Sequence, residues 1–194
     1  MATVVVVAAL VPWWVRDWAV FDRFVPTTTR LGVTLYDGLR EGATGGTDMR
    51  FERELMSETS RLSELEYDAF YRQRSWEAVR ADPGRAIRLA ATKFGRLWSP
   101  VPRAAEAQSP VYRALSLAAY VPMVGGAMLG LLVLVRRRTG VLALLLVPIA
   151  WVTMVHLVLV GSIRYRVPVE PLAFLLAGVA AAWVIEGETQ GDER

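Results

Sequence analysis

Gly161-Ser162-Ile163-Arg164-Tyr165-Arg166-Val167-Pro168-Val169-Glu170-Pro171 decides how the rest of the chain is read. It lies between two long apolar runs and packs two arginines, a tyrosine, a carboxylate and two prolines into one short connection. Charge at a bilayer edge is costly unless it snorkels, pairs or lines a wet cavity, so such residues are functional candidates. Proline suits the first turn of a helix, where its missing N–H would have had no partner. Pro168 and Pro171 therefore predict a membrane helix beginning near Val167, with Arg164, Tyr165 and Arg166 at its mouth.

Three stretches near this junction, residues 112–135, 141–160 and 167–185, carry almost no charge. A helix needs roughly 20 apolar residues to cross a hydrocarbon core. Lipid cannot satisfy the backbone of a loop, so such spans are helical. A fourth run, residues 4–15, is short and ends on Pro12, Trp13 and Trp14. It lacks the basic start and small-residue cleavage pattern of a signal peptide, and it reads as the last part of a longer helix. The expected fold is mainly α: a polytopic membrane protein with three full transmembrane helices, one short N-terminal apolar helix and a small, mostly helical extramembrane region. The expected divisions are 1–15, 16–111, 112–185 and a disordered polar tail, 186–194.

Composition narrows the function. Of 194 residues 54% are hydrophobic, which is high for a soluble domain of this size. There is no cysteine, which excludes disulfides, thiolate metal sites and cysteine nucleophiles. Net charge is only +3, and no basic block interleaved with aromatics suggests nucleic acid. The spans hold few polar residues to line a transport path; His156, inside the second full span, is the exception and reads first as a packing residue.

The region 16–111 opens with Arg16-Asp17 beside the tryptophans, an arginine that either snorkels with a counter-ion or meets a lipid phosphate. Residues 19–47 are rich in glycine and threonine and read as irregular, with a short strand over 31–36 and a turn at Tyr36-Asp37-Gly38. Ser63 and Glu66 match a capping box. Asp82-Pro83 then starts another helix, whose expected apolar face is Ile87, Ala90, Ala91, Phe94, Leu97 and Trp98. Arg85, Arg88, Lys93 and Arg96 fall mostly elsewhere, giving a basic amphipathic helix of the kind that lies on membranes.

Pro12-Trp13-Trp14-Val15-Arg16-Asp17-Trp18-Ala19-Val20-Phe21-Asp22-Arg23-Phe24-Val25-Pro26 resembles a loop segment of bacterial membrane glycosyltransferases of the GT-C type. These enzymes are similar to the dolichyl-phosphate-mannose–protein mannosyltransferases and to lipid A aminoarabinose transferase. Leu35-Tyr36-Asp37-Gly38, Ala43-Thr44-Gly45, Asp82-Pro83-Gly84-Arg85 and Gly161 to Pro168 resemble further segments of such enzymes, in the same order. The resemblance implies a multi-pass protein of the bacterial inner membrane with residues 16–111 outside the cytoplasm, an orientation that charge alone leaves open. It implies a polyprenyl-phosphate-linked sugar as partner beside membrane lipid.

Under that resemblance Arg16, Arg164, Tyr165 and Arg166 hold the lipid phosphate, since arginine presents a bidentate fork to such oxygens. Asp17, Tyr36, Asp37, His156 and Glu170 are secondary candidates. The catalytic first loop of such enzymes has no counterpart here, and Asp17 stands where the pattern has asparagine. The chain thus reads as the C-terminal portion of such an enzyme, from a split or truncated gene, working with an N-terminal partner chain or lacking its N-terminal half, with no catalytic residue of its own. No cofactor is expected, and a divalent metal is left open. The alternative is a non-catalytic integral membrane protein, a remnant or an assembly subunit, whose 16–111 region binds a partner.

Overall fold

The computed structural model describes residues 2–102, 109–136 and 140–192. It is mainly helical, with no strand among the described residues: α1 (Ala2–Phe21), α2 (Leu31–Leu39), α3 (Arg50–Glu54), α4 (Met56–Thr59), α5 (Glu64–Ala81), α6 (Pro83–Leu97), α7 (Pro110–Arg136), α8 (Val141–Val158) and α9 (Glu170–Asp192). Two 3₁₀ turns, Ile163–Tyr165 and Val167–Val169, join α8 to α9. Among the described residues four helices are long and apolar enough to cross a membrane, and the chain is a helical membrane protein on that ground.

The N-terminal run is corrected by this count. α1 has 20 residues and continues through Arg16 and Asp17 to Phe21, in place of a short apolar helix ending at Val15. The charges do not end it because they neutralise each other: Arg16 Nη1 lies 2.7 Å from Asp17 Oδ1, and Asp17 is buried. Termination comes later, at Asp22, which adopts a left-handed φ of 51° while its N–H still bonds Trp18 O. Trp14 Nε1–H then donates to Pro26 O at 2.8 Å and its ring meets Phe24 edge-on, which folds the outgoing chain back along the helix end.

The chain divides into two compact units, Met1–Ala43 with Thr47–Ala86, and Thr44–Gly46 with Ile87–Arg194. In the first, α2 packs on α5 around Val33, Phe51 and Tyr71. The strand expected over 31–36 and the turn at 36–38 are both replaced by helix α2. Its glycines brought this about. A Cβ on Gly32 would stand 2.0 Å from the Asp68 carbonyl oxygen, so only glycine lets the two backbones approach so closely. The Gly32 N–H donates to Asp68 Oδ1 at 2.5 Å. The capping box at the start of α5 is present, with Glu66 Oε2 accepting the Ser63 N–H at 2.9 Å and its hydroxyl at 2.7 Å. The Asp82 carboxylate accepts the Arg85 N–H at 2.8 Å and so caps α6, as its sequence predicts.

In the second unit α7 and α9 form the main pair. Gly126 and Gly130 face α9, and a Cβ on Gly130 would lie 1.8 Å from Leu176 O. Small residues four apart let membrane helices pack backbone to backbone where burial of apolar area offers little drive. Tyr120 and Met123 lie near Glu170 and Phe174, while Arg136 lies near Trp183, so the two helices run parallel. α8 returns between them in sequence but buries little of itself. α9 carries the chain as helix to Asp192, through most of the segment expected to be a disordered tail. Arg137 and Arg138, in the loop between the first two full spans, lie outside the described residues, as does Arg103.

The exposed side of α6 also differs from expectation. Its buried stripe is Leu89, Lys93 and Leu97, while Ile87 and Phe94 are exposed. Lys93 is buried because its ammonium has a partner: Nζ donates to Val158 O at 2.7 Å.

Candidate functional site

The junction from α8 to α9 is built by satisfying helix ends. The last carbonyls of a helix have no intrahelical donor and carry partial negative charge, so basic groups settle there. At α8 the donors come from α6: Lys93 Nζ reaches Val158 O, and Arg96 Nε reaches Gly161 O at 3.3 Å. Gly161 lies directly on the Lys93 backbone, where a Cβ would meet the Lys93 carbonyl oxygen at 2.6 Å. Its N–H donates to Gly45 O at 2.8 Å, so part of the glycine-rich segment is used as a backbone acceptor.

Arg166 serves the end of α6 in the same way. Its Nη1–H groups reach Leu97 O at 3.3 Å and Ser99 O at 2.5 Å, and its Nε–H donates to Glu170 Oε1 at 2.7 Å. The guanidinium also lies 4.2 Å from the centre of the Tyr120 ring, whose hydroxyl donates to Trp98 O at 2.9 Å. Arg166 is 6% exposed. It is a buried tie between α6, α7 and the start of α9, with Glu170 as counter-ion.

Arg164 is placed differently. Its side chain is exposed and its Cζ sits 5.4 Å from the Tyr165 ring centre. The Tyr165 ring stacks on His156 at 4.2 Å with an interplanar angle of 13°. The His156 ring is fixed in turn by a contact of 3.0 Å between Nδ1 and Val160 O. Arg164, Tyr165 and His156 therefore form a layered group at the C-terminal end of α8. Arg164 makes no hydrogen bond and no ion pair among the described residues, which leaves all five of its N–H donors available.

The remaining sequence candidates belong to the first unit. Arg16 and Asp17 pair with each other on α1, with the guanidinium 5.1 Å from the Trp13 ring. Tyr36 belongs to the aromatic cluster with Phe51 and Tyr71. Asp37 is buried and accepts the Thr47 hydroxyl at 2.8 Å and the Asp48 N–H at 2.9 Å, so it anchors the loop after α2. Asp48 itself sits between Arg40 and Arg50, and hydrogen bonds from Arg50 hold its carboxyl far below the usual range. No group of three histidine, aspartate or glutamate side chains could hold a metal ion among the described residues.

Lys93 and Arg96, expected on the basic, membrane-facing side of an amphipathic helix, instead shape the junction. Their helical register was legible, but nothing local reveals that their partners are carbonyls some 65 positions onward. No protein-family model matches the chain, and neither a curated protein nor a solved structure matches it.

Proposed function

We propose that the chain is the C-terminal portion of a polyprenyl-phosphate-sugar-dependent membrane glycosyltransferase, and that its part is to hold the lipid phosphate at Arg164. The observation that carries this is the contrast within the junction. Arg166 is buried and fully engaged on its Nε and Nη1 sides, whereas Arg164 is exposed and without a hydrogen-bond partner among the described residues. An unpaired guanidinium at the end of a membrane helix is matched by an anionic headgroup, which its planar fork binds through two parallel hydrogen bonds. Tyr165 and His156 hold that guanidinium on a rigid platform, which limits the side-chain freedom lost on binding. The order of sequence segments resembling such transferases supplies the rest of the reading. On this proposal the protein lies in the bacterial inner membrane with the junction and the region from the end of α1 to residue 111 on the outer side. The acidic catalytic loop is then supplied from outside these 194 residues, by a partner chain or by a preceding part of the same protein.

A test uses the purified protein in nanodiscs with a short polyprenyl phosphate. Arg164→Gln should weaken binding about tenfold or more, the weight of one charge-assisted pair of hydrogen bonds. Unchanged binding would favour the second reading, a non-catalytic membrane subunit. That reading draws on Trp76, which is exposed on α5 beside a shallow depression with Gln73, Glu77, Val79 and Arg80 and suits a protein contact.

A further inference from the structure

A second polar place lies within the α7–α9 unit, separate from the Arg164 platform. Pro100, Pro102, Met123, Ile163 and Phe174 wall an open cleft of about 200 Å³, into which Ser116, Tyr120, Arg166 and Glu170 also project. Such a volume corresponds to about seven water molecules at liquid density. It is below the usual range for a pocket that encloses a whole ligand. A cleft of this size, open on one side, holds the polar end of a larger molecule.

The two charged walls are only partly used. Arg166 spends Nε on Glu170 and Nη1 on Leu97 O and Ser99 O, while Nη2 has no hydrogen bond among the described residues. Nor is Nη2 a sealed, unsatisfied buried atom. Glu170 engages Arg166 through Oε1, and no hydrogen bond from the described residues reaches its Oε2. Its side chain keeps 27% exposure. The Tyr120 hydroxyl is committed to Trp98 O. What the cleft offers is therefore the Arg166 Nη2 amino group and the Glu170 Oε2 oxygen of one ion pair, with the Ser116 hydroxyl on α7 as a further wall.

That pairing selects its ligand. A bare anion would meet the Glu170 carboxylate, and a bare cation would meet Arg166. A zwitterion with its two charges linked by a short spacer satisfies both. The apolar walls and the position beside two membrane helices mean that the remainder of such a molecule can stay in lipid. We propose that this cleft binds the headgroup of an aminophospholipid of the phosphatidylethanolamine class, phosphate oxygen to Arg166 Nη2 and ammonium to Glu170 Oε2. A choline headgroup has no N–H and cannot make the second bond, and a glycerol headgroup has no cation.

The test is native mass spectrometry of lipids retained by the full chain extracted from nanodiscs of equal phosphatidylethanolamine, phosphatidylcholine and phosphatidylglycerol. The expected result is about tenfold retention of the amine lipid over the choline lipid, the weight of one charge-assisted hydrogen bond. Glu170→Gln should abolish that preference. Because Glu170→Gln also leaves Arg166 without its counter-ion, a second variant, Ser116→Phe, fills the cleft from α7 and leaves the ion pair intact; it should reduce retention to the choline level. Arg164→Gln should leave the preference unchanged, which separates this site from the proposed polyprenyl-phosphate contact. Equal retention of amine and choline lipids by the unaltered chain would overturn the proposal. So would an undiminished preference in folded Ser116→Phe. Equal occupancy by soluble phosphoethanolamine would overturn the assignment to a lipid.

Discussion

Arg164 and Arg166 stand two residues apart and read alike in sequence, yet their replacement by glutamine should give opposite results. Arg166→Gln removes the donor to Glu170 Oε1, to Leu97 O and to Ser99 O, as well as the contact with Tyr120. Breaking a buried ion pair by deleting one partner costs about 3–5 kcal/mol, because the other charge is left unpaired. Glu170 keeps 27% of its side-chain exposure and can be partly hydrated, which places this case near the lower end, about 3 kcal/mol. The two carbonyls regain donors only if water follows, so the end of α6 should fray as well. Arg164→Gln removes a ring contact on an exposed side chain and should change stability by no more than about 0.5 kcal/mol. The assay is reversible unfolding in mixed micelles, followed by helix content. Polyprenyl-phosphate binding is measured in parallel on folded material. Arg166→Gln should lose stability, and Arg164→Gln should lose binding at unchanged stability. Equal destabilisation by the two variants, or a stable Arg166→Gln protein that has lost only lipid binding, would refute the division of labour between them.

Three further outcomes test other parts of the structure. Gly32→Ala puts a methyl 2.0 Å from the Asp68 carbonyl oxygen and 2.9 Å from the Arg72 nitrogen, both backbone atoms, so α2 must separate from α5. The expected loss is about 3 kcal/mol, the upper end for overpacking, measured by chemical unfolding. Glu66 is held below its ordinary pKa of 4.5 by the Ser63 hydroxyl and N–H. A carboxyl lowered in the folded state contributes stability above its unfolded pKa and loses it as pH falls through the folded value. An acid titration of α5 helicity should therefore show a step below pH 4.5, and Ser63→Ala, which keeps the N–H but loses the hydroxyl, should reduce that step. The chain has no cysteine, so single cysteines can report topology directly. A membrane-impermeant maleimide applied to intact cells should label Ser162→Cys and spare Gly140→Cys if the proposed orientation is right; the reverse pattern would overturn it.

The membrane helices were legible because their signal is compositional: long uncharged runs need no knowledge of partners. So were the caps at Ser63 and Asp82, because donor and acceptor lie within three residues. The misreadings share a different cause. Arg16-Asp17 looks in sequence like the end of a span, but the pair is mutually neutralised within α1. The glycines of 31–38 suggest an irregular segment, because glycine is a poor helix former. Gly32 instead permits a backbone contact with a helix more than thirty positions onward, a tertiary need that outweighs propensity. The face of α6 is rotated, keeping Leu97 buried but adding Lys93, because periodicity assigns Lys93 to solvent and the carbonyl that accepts its N–H is on another helix. That Arg164 and Tyr165 stand at the junction of two apolar runs was legible; their stacking with His156 was not. The commitment of Arg166 to carbonyls was not.

The fate of the junction's cations follows from where helix ends fall. Near a bilayer the last carbonyls of a helix cannot count on water, so each end needs a protein donor. Here α6 ends against Arg166, and α8 ends against Lys93 and Arg96, with the Gly161 N–H directed to Gly45 O. These bonds fix the backbone from 158 to 170 before any ligand is considered. The 3₁₀ turn Ile163–Tyr165 then decides direction: Arg166 is turned inward onto those carbonyls, while Arg164 is turned out over the Tyr165 ring. A guanidinium left over after these helix ends have been served is not explained by folding. Its retention on an ordered stack with Tyr165 and His156 is the physical ground for assigning it a ligand.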